Sequence, residues 1–310
     1  MILSASRRTD IPCYYAEWLL NRLRAGYALT RNPMNPAQIS RVPLSPEVVD
    51  CIVFWTKDAK NLLPYLDELD RMGYMYYFQF TLTPYGRGLE TNLRDKADIE
   101  NTFIALSEKI GPERVLWRYD PIILNDELTP DYHRREFSRL CERLSPYTRR
   151  VTISFVDIYA KLLNRPAVKE NLIRAVSPGE IASLSEFIGK TARAFGLYPC
   201  ACCENADLSA YGIERASCVD GLLIEKLCGR PLDLPPDKNQ RPGCGCAESV
   251  DIGAYDTCLN GCVYCYANNG EAAALRRHTA HDPCGELLFG SVSGERIVER
   301  KVSSNKQRRI

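Results

Sequence analysis

Short apolar runs alternate with amphipathic stretches along the first two-thirds of this 310-residue chain, and no other feature limits the fold as much. The runs at 2–6, 48–55, 74–83, 114–119, 150–156 and 197–203 are rich in β-branched and aromatic residues and read as strands. Between them, 14–23, 61–72, 96–110, 130–144 and 177–195 carry apolar residues at helical spacing. Thr129 followed by Pro130 is a helix start, and Ser177-Pro178-Gly179-Glu180 has capping-box form. About six β–α units in series predict a parallel sheet with helical crossovers. Strands buried on both faces account for the unbroken apolar runs. Polar residues recur at the strand ends, and no glycine-rich phosphate loop follows the first strand, so a partial (β/α) TIM-like barrel is expected over an open doubly wound sheet.

The chain changes character beyond residue 228. A proline-rich stretch at 231–236 leads to Asp237-Lys238-Asn239-Gln240-Arg241, and 243–267 is rich in glycine, cysteine and tyrosine without apolar periodicity. Such a segment must be ordered by something other than an apolar core, and metal ligation is the natural candidate. The expected organisation is a barrel over 1–228, a cysteine-rich segment over 229–269 folding across the barrel mouth, and an extension over 270–310 whose polar, basic end frays. A further helix is expected at 220–227, and an irregular loop at 31–36, where asparagine and proline alternate.

Eleven of the 14 cysteines lie between Cys200 and Cys284. With no secretory signal pattern at the start, a reducing, cytoplasmic compartment is expected, where clustered thiols favour metal over disulfides. No window approaches 18 uninterrupted apolar residues, so no membrane partner is expected. The formal net charge of +1 gives no global field for nucleic acid, which stays among the candidate partners only through local basic patches.

Cys258, Cys262 and Cys265 form C-x3-C-x2-C, with Tyr264 and Tyr266 flanking the last cysteine. Three thiolates on one short loop can hold three irons of a [4Fe–4S] cluster and leave the fourth open. Structural zinc sites take four protein ligands, so a zinc-stapled tail is the lesser alternative. A second group comprises Cys200, Cys202, Cys203, Cys218, Cys228, Cys244 and Cys246. Cys244-Gly245-Cys246 can put two thiolates on one ion, and a second Fe–S or zinc site is weighed there against small buried cysteines. Cys13, Cys51 and Cys141 read as core, and His133, His278 and His281 as surface residues.

The strand ends supply Arg7, Arg8, Asp10, Lys57, Gln79, Thr81, Arg118, Asp120, Asp157 and Glu204, which a barrel would gather at one mouth. Lys57, Arg118, Asp120 and Glu204 are the candidate catalytic residues. Arg7, Arg8, Asp10 and Thr81, with Tyr264 and Tyr266, are the candidate cofactor-binding residues. The competing reading is internal ion pairing, such as Arg118 with Asp120.

The motif C-x3-C-x-Y-C-Y resembles that of radical S-adenosylmethionine enzymes, especially the spore-photoproduct-lyase-like group. That resemblance implies S-adenosylmethionine on the open iron, its reductive cleavage, hydrogen abstraction from a substrate, and a reductant such as a flavodoxin or ferredoxin. Those enzymes carry the motif after their first strand; here it stands near the C-terminus. More of the chain resembles the bacterial domain-of-unknown-function family eighteen-forty-eight. The resemblance is carried by Ser4-Ala5-Ser6-Arg7-Arg8-Thr9-Asp10-Ile11-Pro12, Val53-Phe54-Trp55-Thr56-Lys57, 78–86, Trp117-Arg118-Tyr119-Asp120-Pro121 and 237–266. It implies a radical-enzyme-like barrel without a stated reaction, and it is the basis for adding Cys202 and Cys218 to Cys244 and Cys246 at the second site. Three functions follow: a cluster-dependent radical enzyme on an unknown substrate, an Fe–S electron-transfer or redox-sensing protein, and a zinc-stabilised nucleic-acid-binding barrel.

Overall fold

The apolar runs pair as strands of a single eight-stranded parallel sheet in the computed structural model, which describes residues 1–158, 160–170, 172–241 and 243–306. In chain order the elements are β1 (Ile2–Ala5), α1 (Ile11–Tyr14), α2 (Ala16–Ala25), β2 (Tyr27–Asn32), β3 (Asn35–Pro43), β4 (Cys51–Thr56) and α3 (Leu66–Arg71). Next come β5 (Tyr76–Thr81), α4 (Lys96–Ile110), β6 (Val115–Ile122), α5 (Pro130–Leu144), β7 (Arg150–Phe155), α6 (Ala160–Leu163), α7 (Pro166–Lys169) and α8 (Pro178–Ala194). The last are β8 (Tyr198–Ala201), β9 (Glu214–Arg215), α9 (Gly221–Cys228), β10 (Ser249–Asp251), α10 (Glu271–Thr279) and β11 (Arg296–Glu299). The large sheet runs β10-β1-β4-β5-β6-β7-β8-β9, every neighbouring pair parallel.

Successive side chains of a strand face opposite ways, and here both faces are buried. Ile52 and Phe54, Tyr76 and Phe78, and Trp117 and Tyr119 join the main core with Trp18, Phe103, Phe137 and Ile188 from the covering helices. Ile2, Cys51, Val53, Tyr77 and Leu116 face the other way and pack against Val219, Ile224 and Leu232. Each large side chain removed from water contributes roughly 1.5–3 kcal/mol, so neither face could be left open cheaply. Local signals agree with the tertiary pattern. Thr129 Oγ1 accepts from the Tyr132 amide, and Ser177 and Glu180 form the reciprocal capping box at the start of α8.

Several expectations are corrected. Residues 31–36 are not an irregular loop: β2 and β3 form an antiparallel hairpin turning at Pro33-Met34, and β11 extends it to a second, three-stranded sheet. The 243–267 segment contributes β10 to the main sheet; three residues are too few to show periodicity, but Val250 is buried against β1. His133 is no surface residue. It lies on the apolar stripe of α5 with Phe137 and Leu140, and its ring nitrogens meet Tyr119 Oη and Ile123 O, both at 2.8 Å. Within the expected frayed end, Asn305 and Lys306 are held: the Asn305 amide donates to Asp50 at 2.7 Å, and Lys306 bridges to Leu232. Residues 307–310 of the expected frayed end lie outside the described residues. Cys51 and Cys141 are buried as expected, and Cys13 is half-buried. Among the described residues no helix is long and apolar enough to cross a membrane.

Candidate metal centre and strand-end site

β10 sits at the edge of the sheet beside β1, and its last residue starts the construction of the site. Asp251 accepts from Ser4 Oγ (3.1 Å), Ser6 Oγ (2.6 Å), the Arg7 amide (2.8 Å) and the Gly253 amide (2.9 Å). Gly253 has no room for a side chain, because a Cβ there would lie 2.1 Å from Ser6 Oγ. The chain then leaves the sheet as a loop closed on itself. The Asp256 amide donates to Ala267 O at 3.0 Å, and Asn268 Nδ2 to Cys258 O at 2.6 Å.

Within that lobe, the Cys265 amide donates to Cys262 O (3.1 Å) and the Ala267 amide to Cys265 Sγ (3.3 Å), an N–H directed at a sulfur. Gly261 takes φ +67°, and a Cβ there would come within 3.0 Å of Thr91 and Asn92. Asn260 is buried; its Nδ2 donates to Asp10 at 3.1 Å and its Oδ1 accepts from Tyr14 Oη at 2.9 Å. Tyr15 Oη donates to Thr257 O at 2.6 Å. The lobe therefore rests on the segment after β1 and on 89–92 after β5, where the Val263 amide meets Leu89 O at 3.0 Å.

A buried carboxylate joins the lobe to the sheet. Glu90 accepts from Lys57 Nζ (2.7 Å) and Thr83 Oγ1 (2.9 Å), and also from Lys96 Nζ and Tyr264 Oη. Burial opposes its ionisation, but Lys57 and then Lys96 outweigh that and hold the carboxyl at about 2. Burial pushes the Cys258 thiol up, and pushes Cys262 up to about 12 although Lys57 pulls it down. Cys262 and Cys265 lie near enough to raise Cys258, Cys265 raises Cys262 as well, and Cys13 borders Cys258. Three soft sulfur donors, a backbone N–H on sulfur and a left-handed glycine between Cys258 and Cys262 fit thiolate ligation of a cluster. Among the described residues no group of three or more His, Cys, Asp or Glu side chains stands ready-made as a metal cage.

The strand-end residues divide into two sets. Arg7, Lys57, Arg118 and Asp120 converge. The Arg7 and Arg118 guanidiniums lie 5.2 and 5.6 Å from the centroid of Trp55, and Arg118 pairs with Asp120, which also accepts from Ser154 Oγ. Lys57 feels the Asp120 charge, and Tyr266 Oη donates to Arg7 O. Trp55 Nε1 and Arg7 Nη2 are buried atoms without a hydrogen-bond partner. Glu204 accepts from the Phe155 amide at 2.7 Å and is raised to about 7 by burial, with Asp120 and Asp157 nearby. Thr81 pairs with Arg118 across the strands. The remaining candidates look elsewhere. Arg8 stacks over Tyr255 at 5.3 Å, and the Asp10 oxygens are taken by the amides of Cys13 (3.1 Å) and Lys57 (2.8 Å) and by Asn260. Of the 237–241 stretch, Asp237 reaches Arg7 at 3.8 Å and Arg241 reaches Asp157 at 3.3 Å.

The second cysteine group is gathered too, but not all of it. Cys202 and Cys218 Sγ stand 2.9 Å apart, and Cys203, Cys244 and Cys246 adjoin them. Hydrogen bonds from Cys202 and Cys246, with Arg118 Nη1 at 2.9 Å, hold the Cys218 thiol well below its ordinary value. Cys200 turns to Tyr198 O and Cys228 to Asp50 O, away from that group. Sequence reasoning missed Glu90, Asn260, Asp251 and Trp55. Asn260 lies inside the motif and Trp55 in a strand, so their spacing was visible; their partners, from 48 to 250 positions away, were not.

The family model "Domain of unknown function (DUF1848)" matches residues 2–267, a span from β1 through the motif lobe that includes both cysteine groups. No curated protein and no solved structure matches the chain.

Proposed function

We propose that this chain, which belongs to the family described as domain of unknown function DUF1848, is an iron–sulfur enzyme resembling radical S-adenosylmethionine enzymes. In this reading Cys258, Cys262 and Cys265 ligate a [4Fe–4S] cluster with one open iron. The eight-stranded sheet serves as an incomplete TIM-like barrel whose mouth holds the substrate. A flavodoxin or ferredoxin is the reductant, in the cytoplasm. When bound, such a cluster supplies the low-potential electron for reductive cleavage of S-adenosylmethionine and thereby for hydrogen abstraction from substrate.

One observation carries the reading. The motif is late in sequence, yet its loop emerges from β10, the parallel edge strand next to β1. In spatial order it follows the first strand of the sheet, as the motif does in the enzymes it resembles. The protein's own residues then have definite tasks. Lys57 and Glu90 hold the Cys262–Tyr264 side of the lobe against the ends of β4 and β5. Asp10 and Asn260 hold its Cys258 side. Arg7, Trp55 and Arg118 offer cationic and aromatic surface to an anionic, planar ligand, because guanidinium binds carboxylates in forked geometry and stacks on rings. Glu204, raised to about 7, can hold or release a proton near neutrality.

Anaerobic reconstitution with iron and sulfide tests this. About four irons on the motif cysteines are expected, together with a reduced-state paramagnetic spectrum that changes on adding S-adenosylmethionine, and 5′-deoxyadenosine on reduction. An intact cluster that ignores S-adenosylmethionine and yields no 5′-deoxyadenosine would leave an electron-transfer or redox-sensing protein. Colourless, zinc-loaded protein with salt-dependent nucleic-acid binding would replace the reading altogether.

A further inference from the structure

Five cysteines from three distant segments meet on the face of the sheet away from the main helices. Cys202 and Cys203 follow β8, Cys218 follows β9, and Cys244 and Cys246 precede β10. Cys202, Cys218, Cys244 and Cys246 pack in one buried cluster, with the Cys202 and Cys218 sulfurs 2.9 Å apart, and Cys203 adjoins Cys202 and Cys244. The backbone is shaped to bring them there. Cys203 takes φ 54°, in the region side chains avoid, and Gly243 takes φ +80°. Gly245 sits where a Cβ would come 2.7 Å from Ser217 Oγ, so the turn between Cys244 and Cys246 closes only with glycine. Two cationic or polar groups point at the sulfurs: Arg118 Nη1 at 2.9 Å from Cys218, and the Val219 amide at 3.4 Å from Cys246.

Thiol–thiol hydrogen bonds are weak, so five converging sulfurs gain little from one another. They gain far more from a shared soft cation. The spacing selects the kind of centre. Two thiolates on one tetrahedral zinc lie ~3.8 Å apart, as follows from Zn–S bonds of about 2.3 Å. Ligands on different irons of a cubane are held well beyond contact. The 2.9 Å between Cys202 and Cys218 matches two ligands of one ion after a spread of about one ångström, with Cys244 and Cys246 packed in the same cluster to complete the set.

We infer that Cys202, Cys218, Cys244 and Cys246 bind a single tetrahedral zinc ion. Cys203 is left out of the set because it lines a cavity of about 270 Å³ with Glu204, Arg215, Ser217, Gly243 and Gly245, and none of the other four thiols does. The ion ties the β8–β9 edge of the sheet to the segment entering β10, the strand that leads to the motif lobe. Binding releases the thiol protons that remain, and no redox step is involved. The inference stands apart from the cluster reading, since it uses none of the motif cysteines.

The test uses the full chain carrying Cys258→Ala, Cys262→Ala and Cys265→Ala, so that the motif cannot contribute metal. About one zinc per chain is expected by elemental analysis. Cobalt(II) in its place should give thiolate charge-transfer bands and the strong visible bands of a tetrahedral site. Adding Cys218→Ser or Cys246→Ser should lower zinc at least tenfold, while Cys203→Ser should leave it bound. Should those variants misfold, alkylation of the unaltered zinc-replete chain gives the same decision. The four thiols should resist until a chelator is added, whereas exposed Cys284 reacts at once. Less than a tenth of an ion per chain, iron with sulfide on these thiols, or alkylation of all four at the rate of Cys284 overturns the inference.

Discussion

Lys57 Nζ lies 2.7 Å from the carboxylate of Glu90, which is fully buried and is shared with Lys96, Thr83 and Tyr264. One acid thereby pairs with two ammonium groups and anchors the motif lobe. Replacing it with glutamine leaves two largely buried cations facing each other without their counter-charge. Glu90→Gln should destabilise the fold by about 3–5 kcal/mol, the scale for breaking a buried pair. Urea unfolding measures that, and iron retained after reconstitution should fall with it. The acid limb has a definite sign. With a folded value of about 2 against an ordinary 4.5, the Glu90 contribution is full above pH 4.5 and is lost as pH falls toward 2. That shift is worth about 3 kcal/mol. A variant whose stability matches the parent at neutral pH would remove Glu90 from the anchor.

Asp251 predicts how firmly β10 is held. Its carboxylate accepts four hydrogen bonds, three of them from β1 and the turn that follows it. Hydrogen bonds to a charged group are worth about 1.5–3 kcal/mol, and donors left unpaired add to the loss. Asp251→Ala should therefore cost about 3 kcal/mol, and amide exchange should quicken across 249–253 before it does in β5 or β6. Uniform quickening over the whole sheet would mean that β10 is not an independently held edge.

The first two-thirds of the fold was legible because each element states itself locally. The Tyr76–Thr81 run and the Thr129 and Ser177 caps need no distant partner to be recognised. β10 was not legible, since a three-residue strand has no period and its placement depends on Asp251 meeting Ser4 and Ser6 some 245 residues earlier. The motif cysteines were visible as spacing. Their support was not: Glu90 follows a turn that reads as loop, and Asn260 is an ordinary residue until Asp10 and Tyr14 are brought to it. His133 misled because its neighbours in sequence are polar while its neighbours at helical spacing are Phe137 and Leu140.

Asn260 couples the lobe to Asp10, and removing it exposes that coupling to titration. Burial raises Asp10 to about 6, opposed by hydrogen bonds from the Lys57 amide, Thr56, Asn260 and the Cys13 amide. A raised acid costs stability as pH climbs from 3.8 through 6, because the unfolded chain ionises first. Asn260→Ala removes one of the opposing bonds, so the stability lost between pH 5 and pH 8 should grow by about 1–2 kcal/mol. Urea midpoints at the two pH values give the difference. An equal loss in parent and variant would show that the Asn260 bond contributes nothing to the Asp10 charge.

His133 gives the converse dependence, far from the motif. Burial on the inner face of α5 lowers it to about 4 from 6.5, with the bond to Ile123 O acting the other way. The unfolded chain takes up a proton near 6.5 while the folded chain resists it, so stability falls as pH drops from 6.5 toward 4. At pH 5 the loss relative to neutral pH should be about 2 kcal/mol from this group alone. His133→Gln keeps hydrogen-bonding capacity without titrating. Its absolute stability should be lower at pH 7.5, from imperfect packing, yet its unfolding midpoint should change much less than the parent's between pH 7.5 and 5. A parent-like slope in the variant would move the acid sensitivity to other groups, with Glu90 and the remaining carboxylates the next to examine.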